Sequence, residues 1–128
     1  MLNVNPENVC FLISKAREFH AKEEVVLPDV PGSPAEDWGR QALANHIDDA
    51  TYQEFKESFS DLEPDQQHEV VALLWVGRGD FDIADWDAAV EEAHDNWTPT
   101  TAEYLMAHPM LADYLLEGLL LHDYNCDS

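Results

Sequence analysis

Gly77-Arg78-Gly79-Asp80 closes an apolar run that begins at Val70, setting a guanidinium between two glycines with a carboxylate two residues further on. Such a group could do chemistry. A rigidly placed arginine can hold an anionic ligand, or an internal carboxylate, through paired N–H donors. Trp75 and Tyr104 would line the pocket around it. The same residues also read as a helix stop, with glycine supplying the left-handed residue after the last turn and Arg78 facing the negative helix end. The helix stop is the stronger reading. The Walker spacing and its lysine are missing, so the two glycines do not make a phosphate loop. Arg-Gly-Asp also spells an integrin-type tripeptide, which without an export signal is a coincidence of composition.

Other candidate constellations are weaker. Asp80 to Glu91, DFDIADWDAAVE, imitates part of a calcium loop, with Asp80, Asp82 and Glu91 at the first, third and last ligand positions. Ala84 stands where a central oxygen ligand is needed and Asp85 replaces the obligatory glycine, so no calcium site is expected. Asp65-x-x-His68 and Glu91-x-x-His94 each resemble half of a carboxylate–histidine metal motif. With 27 acids in 128 residues, six histidines yield about one such pair by chance, so two pairs say little. There is no G-x-S-x-G elbow and no C-x-x-C. Cys10 and Cys126 are the only cysteines. A disulfide between them is one option; two idle thiols in a reducing cytoplasm, with Cys10 packed between helices, is the expectation. No catalytic residue, metal or cofactor is assigned.

Charge narrows the function classes. The chain carries 27 Asp and Glu against 6 Lys and Arg, a formal charge of −21, and after Arg78 it has no Lys or Arg at all. Such a surface repels phosphate, which argues against direct binding of nucleic acid or of anionic membranes. Three uses remain: solubility in a salty cytoplasm, attraction to a basic protein partner, and cation binding. No apolar run approaches the roughly 20 residues that span a bilayer. MLNVNPENVC has neither a basic n-region nor a cleavage site, so a cytoplasmic protein is expected.

The elements that must position these residues are helical. At 45% apolar the 128 residues can bury a core, and the hydrophobes recur at helical spacing. Asn5-Pro6-Glu7 predicts a helix start, followed by Val9, Leu12, Ile13, Ala16 and Phe19 on one face. Three prolines and a glycine predict an extended loop at about 24–34. Ser33-Pro34-Ala35-Glu36 matches a capping box ahead of a helix with Trp38, Ala42 and Leu43. Asp48 or Asp49 can cap the next helix, whose stripe is Tyr52, Phe55, Phe59 and Leu62. Pro64 opens a segment apolar on nearly every side, which predicts a central helix rather than a buried strand. Asp82 can cap a helix with Trp86, Ala89, Val90, Ala93 and Trp97 facing inward and Asp85, Asp87, Glu91, Glu92 and Asp95 outward. The tryptophans read as core. Thr98-Pro99 restarts the chain into a short helix with Tyr104 and Leu105. Pro109 begins a last helix with Leu111, Leu115, Gly118 and Leu119 on one face, where the glycine predicts close approach of a neighbour.

The WVGRGD segment, Trp86 and the TAEYLMAHPMLADYLLEGL segment from Thr101 to Leu119 together resemble a bacterial family of small uncharacterised proteins, a domain of unknown function. The resemblance covers most of the chain. It implies a compact, mainly helical, cytoplasmic protein without an established activity. It also implies that Trp75, Gly77, Arg78, Gly79, Asp80, Tyr104, Leu105, Pro109 and Gly118 form a structural signature. It transfers no catalytic residue.

The sequence therefore predicts an all-α fold: one domain over 1–128, a compact bundle of roughly six helices around a central hydrophobic helix spanning about 64–77. The favoured function is a non-enzymatic protein-interaction or regulatory module that meets a basic protein partner. Two rivals stand beside it. One is a nucleic-acid mimic that fills a basic groove with Asp85, Asp87, Glu91, Glu92 and Asp95. The other is a sensor or enzyme for a small anion, built on Arg78, Asp80, Trp75 and Tyr104. Leu119-Leu120-Leu121 could pair two copies through the C-terminal helix.

Overall fold

The computed structural model describes residues 2–21 and 49–126. The capping box at Ser33, the helix expected around Trp38 and the loop expected at about 24–34 lie outside those residues. Six α-helices follow in order: α1 (Pro6–His20), α2 (Ala50–Ser60), α3 (Pro64–Arg78), α4 (Trp86–Asp95), α5 (Thr101–Met106) and α6 (Leu111–Leu121). A single 3-10 turn, Ile83–Asp85, precedes α4. No strand occurs among the described residues, and none of their helices is long and apolar enough to cross a membrane.

Local chemistry sets the boundaries. Asn5 accepts from the Glu7 N–H at 2.9 Å and Pro6 occupies the first turn, so α1 starts where its donors are satisfied. Asp49 performs the same service for α2 by accepting from Tyr52 N–H at 3.0 Å. At the head of α3 the Glu63 N–H donates to Gln66 Oε1 at 3.1 Å. Helix α3 ends at Gly79, whose φ of 96° a side chain would resist. Its N–H and that of Asp80 both donate to the Trp75 carbonyl, at 3.0 and 2.9 Å.

Helix α3 is the middle of the bundle. From Val70 to Val76 every residue is buried, and α3 packs against α6 on one side and α4 on another. Helix α1 packs on α2 and α6, and α2 also meets α5. Glycine-free packing would hold α3 and α6 apart. A Cβ on Gly118 would lie 2.5 Å from the Leu73 carbonyl oxygen, and one on Gly77 would overlap the carbonyl oxygen of Tyr114. The expected close approach at Gly118 is therefore present. Gly77 departs from expectation: it is not part of the stop but a helical residue inside α3, and Gly79 alone supplies the left-handed turn.

Two further expectations are corrected. Cys10 and Cys126 are joined in a disulfide, with Cα atoms 5.7 Å apart across a separation of 116 residues, rather than left as idle thiols. In the chain-entropy model a closed loop of that length stabilises by up to about 5 kcal/mol. Trp97 lies past the end of α4 and is 43% exposed, because its indole N–H reaches sideways to Gln67 Oε1 at 2.8 Å instead of continuing the inward stripe. The central helix also buries a charge. Buried Glu69 accepts from the backbone N–H groups of Asn3 and Val4 at 2.8 and 2.7 Å, which pins the N-terminal segment to α3.

The glycine contacts give a ranked prediction. Gly77→Ala and Gly118→Ala should each destabilise by about 3 kcal/mol, because backbone rather than a mobile side chain must move. Gly79→Ala, which meets no neighbour, should lose only about 1 kcal/mol through its positive φ. Urea unfolding of the three variants would show this order; equal losses would contradict it.

Candidate functional site

The end of α3 builds the first candidate site. The turn at Gly79 brings Asp80 back beside the helix, and its Oδ2 accepts from Arg78 Nε at 2.9 Å and Nη2 at 2.6 Å. Paired N–H donors thus hold an internal carboxylate, both on one of its oxygens. The Arg78 side chain is 16% exposed, and its Nη1 is buried without a hydrogen-bond partner among the described residues. Partial burial works against the guanidinium's charge, but the bonds and charge of Asp80 outweigh it and raise the pKa further. Trp75 donates its indole N–H to the Tyr104 hydroxyl at 3.0 Å and stacks on Phe81 at 5.9 Å. Burial raises the Tyr104 pKa, against the opposing pull of Trp75 and Arg78. Trp75, Arg78, Asp80 and Tyr104 thus do come together. Their polar groups mostly satisfy one another.

Two surface clefts are lined by described residues, and neither includes Arg78. One, of about 400 Å³, lies among Asn8, Phe11, Leu12, Ser58, Asp61, Leu62 and Gln66. The other, of about 270 Å³, is bounded by Lys56, Gln67, Trp97 and Thr101 with their neighbours.

The acidic residues form a separate set. Asp85 sits in the 3-10 turn, while Asp87, Glu91, Glu92 and Asp95 belong to α4, and all five are exposed. Ala89 and Ala93 provide the buried face of α4. Asp87, Glu91 and Asp95 recur every fourth residue and so make one row, rising about 6 Å per step. No Lys or Arg bonds to these five among the described residues; Glu92 accepts from Asn96 Nδ2 at 2.8 Å and Asp95 lies 3.3 Å from His94 Nδ1. The carboxylates that imitate a calcium loop are dispersed, since Asp80 serves Arg78 and Glu91 faces outward from α4.

The two carboxylate–histidine half-motifs do converge. His68 on α3 and His94 on α4 meet edge to face with ring centroids 5.0 Å apart. Among the described residues, however, no three His, Cys, Asp or Glu side chains are placed to hold a metal ion. Burial, and then His94, push the His68 pKa down, with Asp65 opposing. Burial also lowers His20, whose Nε2 donates to the Met106 carbonyl at 2.8 Å, and His122.

Sequence reasoning missed the buried acids. Glu103 on α5 takes the Lys56 ammonium at 2.9 Å and the Tyr52 hydroxyl at 3.4 Å, joining α2 to α5. Its position beside Tyr104 gave no sign of this, because its partners lie about fifty residues upstream. Glu69 could have been suspected, as the acid that immediately precedes the α3 apolar run.

Two measurements follow. Arg78→Met should destabilise by about 1 kcal/mol with the fold intact, and combining it with Asp80→Ala should add little; strictly additive losses would separate the two residues. Acid should also weaken the protein. His20, His68 and His122 have native pKa values below the unfolded value near 6.5, so the unfolded chain takes up protons first. Their contribution is complete above about pH 6.5 and is lost as pH falls toward the native values. Urea midpoints should drop between about pH 7.5 and 5.5, less steeply in a His68→Gln, His122→Gln double variant; a flat profile would oppose this.

No curated protein and no solved structure matches the chain. Residues 52–124, from the first turn of α2 to just beyond α6, match the family model described as a protein of unknown function, DUF3775. The match covers more than half of the 128 residues and takes in α3, the Arg78 turn, the acidic helix and the glycine contact. The chain belongs to the DUF3775 family.

Proposed function

We propose that the protein is a non-enzymatic interaction module that receives a basic protein partner on the outer face of α4. The observation that carries this reading is the row of Asp87, Glu91 and Asp95, exposed at four-residue spacing and bonded to no Lys or Arg among the described residues. Unneutralised like charges on one helix face are mildly destabilising in isolation. A cationic surface would relieve them and would be steered toward them. The arrangement around Arg78 supports the same reading from the other side. Its guanidinium is held by Asp80, which leaves the end of α3 better suited to stability than to turnover.

The regular rise of the row also supports a narrower version, in which the partner's basic groove ordinarily holds nucleic acid. Asp85 and Glu92, off the row, would widen the charged strip.

An Asp87→Asn, Glu91→Gln, Asp95→Asn variant provides the test. It should keep or slightly raise the melting temperature and lose at least about tenfold in affinity for captured partners, with a shallower salt dependence. Capture of the same partners at unchanged affinity would refute the reading. Displacement of those partners by added duplex DNA would select the mimic; indifference to DNA would leave the plain basic partner.

A further inference from the structure

We propose that Cys10–Cys126 is a reversible thiol–disulfide site, with a dithiol as its co-reactant, which latches the C-terminal segment 122–126 onto α1. The chain contains two cysteines, so oxidation within one molecule has a single product. Both residues are only partly buried, which leaves the sulfurs within reach of a reductant.

The two sides of the bond differ in what else holds them. Helix α1 does not depend on it. Val9, Leu12, Ile13, Ala16 and Phe19 are buried in the core, and Glu69 secures the preceding backbone at Asn3 and Val4. The segment after α6 has far less. Its last backbone hydrogen bond among the described residues runs from the Tyr124 N–H to the Leu119 carbonyl at 2.9 Å. Beyond that it relies on the His122 ring against Trp86, centroids 4.3 Å apart, and on partial burial of Tyr124 and Cys126. Asp123 holds a φ of 67°, which a non-glycine residue adopts reluctantly. That conformation is set by the turn that ends α6, where the Asp123 and Tyr124 N–H groups donate to the Leu120 and Leu119 carbonyls, each at 2.9 Å. Both cysteines lie outside residues 52–124, so the family region does not contain the disulfide. A chain of this length with a buried core does not need a staple to fold, unlike small secreted domains.

Opening is ordinary thiol–disulfide exchange. A thiolate of the dithiol attacks one protein sulfur, the Cys10–Cys126 bond breaks, and the other sulfur leaves as a thiolate that takes up a proton. The second thiol of the reductant then attacks the mixed disulfide and releases the first protein sulfur, which is also protonated. Two electrons and two protons pass to the cysteines, and the dithiol becomes a disulfide.

The test uses the full-length protein and dithiothreitol. As purified in air, the chain should resist alkylation and be lighter than its thiol form by two hydrogens. Dithiothreitol without denaturant should reduce it, and removal of the reductant with oxidised glutathione present should restore the bond. The reduced protein should keep its helical signal and a cooperative, lower-temperature melt. Chymotrypsin should cut after Leu121 or Tyr124 at least about tenfold faster in the reduced form, since local opening governs cleavage. Cys126→Ser should reproduce the reduced pattern without reductant. The proposal is overturned if the thiols stay free in oxidant, if reduction requires denaturant, if reduction unfolds the whole chain, or if cleavage near the tail is the same in both states.

Discussion

Backbone contact between α3 and α6 is the constraint on which the rest of the structure depends. Gly77 and Gly118 remove side chains at two points, so each helix sets its main chain against the other. That closeness makes α3 a central rod, because α4 can then cover another of its faces while α1 packs on α6. Leu73, Leu74 and Leu105 are fully buried in the core that these helices enclose. The Arg78 turn inherits its position from the same contact. Gly77 anchors the last turn of α3, and the left-handed residue that follows can therefore bring Asp80 back to the guanidinium.

Much of this was legible in the chain itself. Helix starts at Asn5-Pro6, Asp49 and Pro64 are written in residues whose caps act locally, within three positions. The central place of the Val70–Val76 run follows from its being apolar all round. What the sequence hid is non-local. Glu69 finds the Asn3 backbone across 66 positions, and the Cys10–Cys126 bond spans 116. No periodicity announces such partners. Trp97 misled for a different reason: its spacing continued the α4 stripe, but the helix ends at Asp95 and a hydrogen bond to Gln67 decides where the ring goes. At the candidate site, the meeting of Trp75, Arg78, Asp80 and Tyr104 was anticipated. The absence of Arg78 from the two clefts described was not.

The polar interior divides into groups with different partners. Glu69 accepts from backbone donors, Glu103 meets a lysine and a tyrosine through Oε1, and Arg78 donates to its near neighbour Asp80. Glu69 ties the N-terminal segment to α3 and Glu103 ties α2 to α5, while the Arg78–Asp80 pair is local to the end of α3.

Helix α4 is clamped at both ends. At its start Trp86 carries the His122 ring, and just past its end Trp97 is bonded to Gln67, which itself donates to the Phe59 and Leu62 carbonyls at 3.2 and 3.0 Å. The row of carboxylates between those clamps is consequently a preorganised ruler. Its spacing exists before any encounter, so a complementary surface would meet charges that give up little backbone entropy on docking.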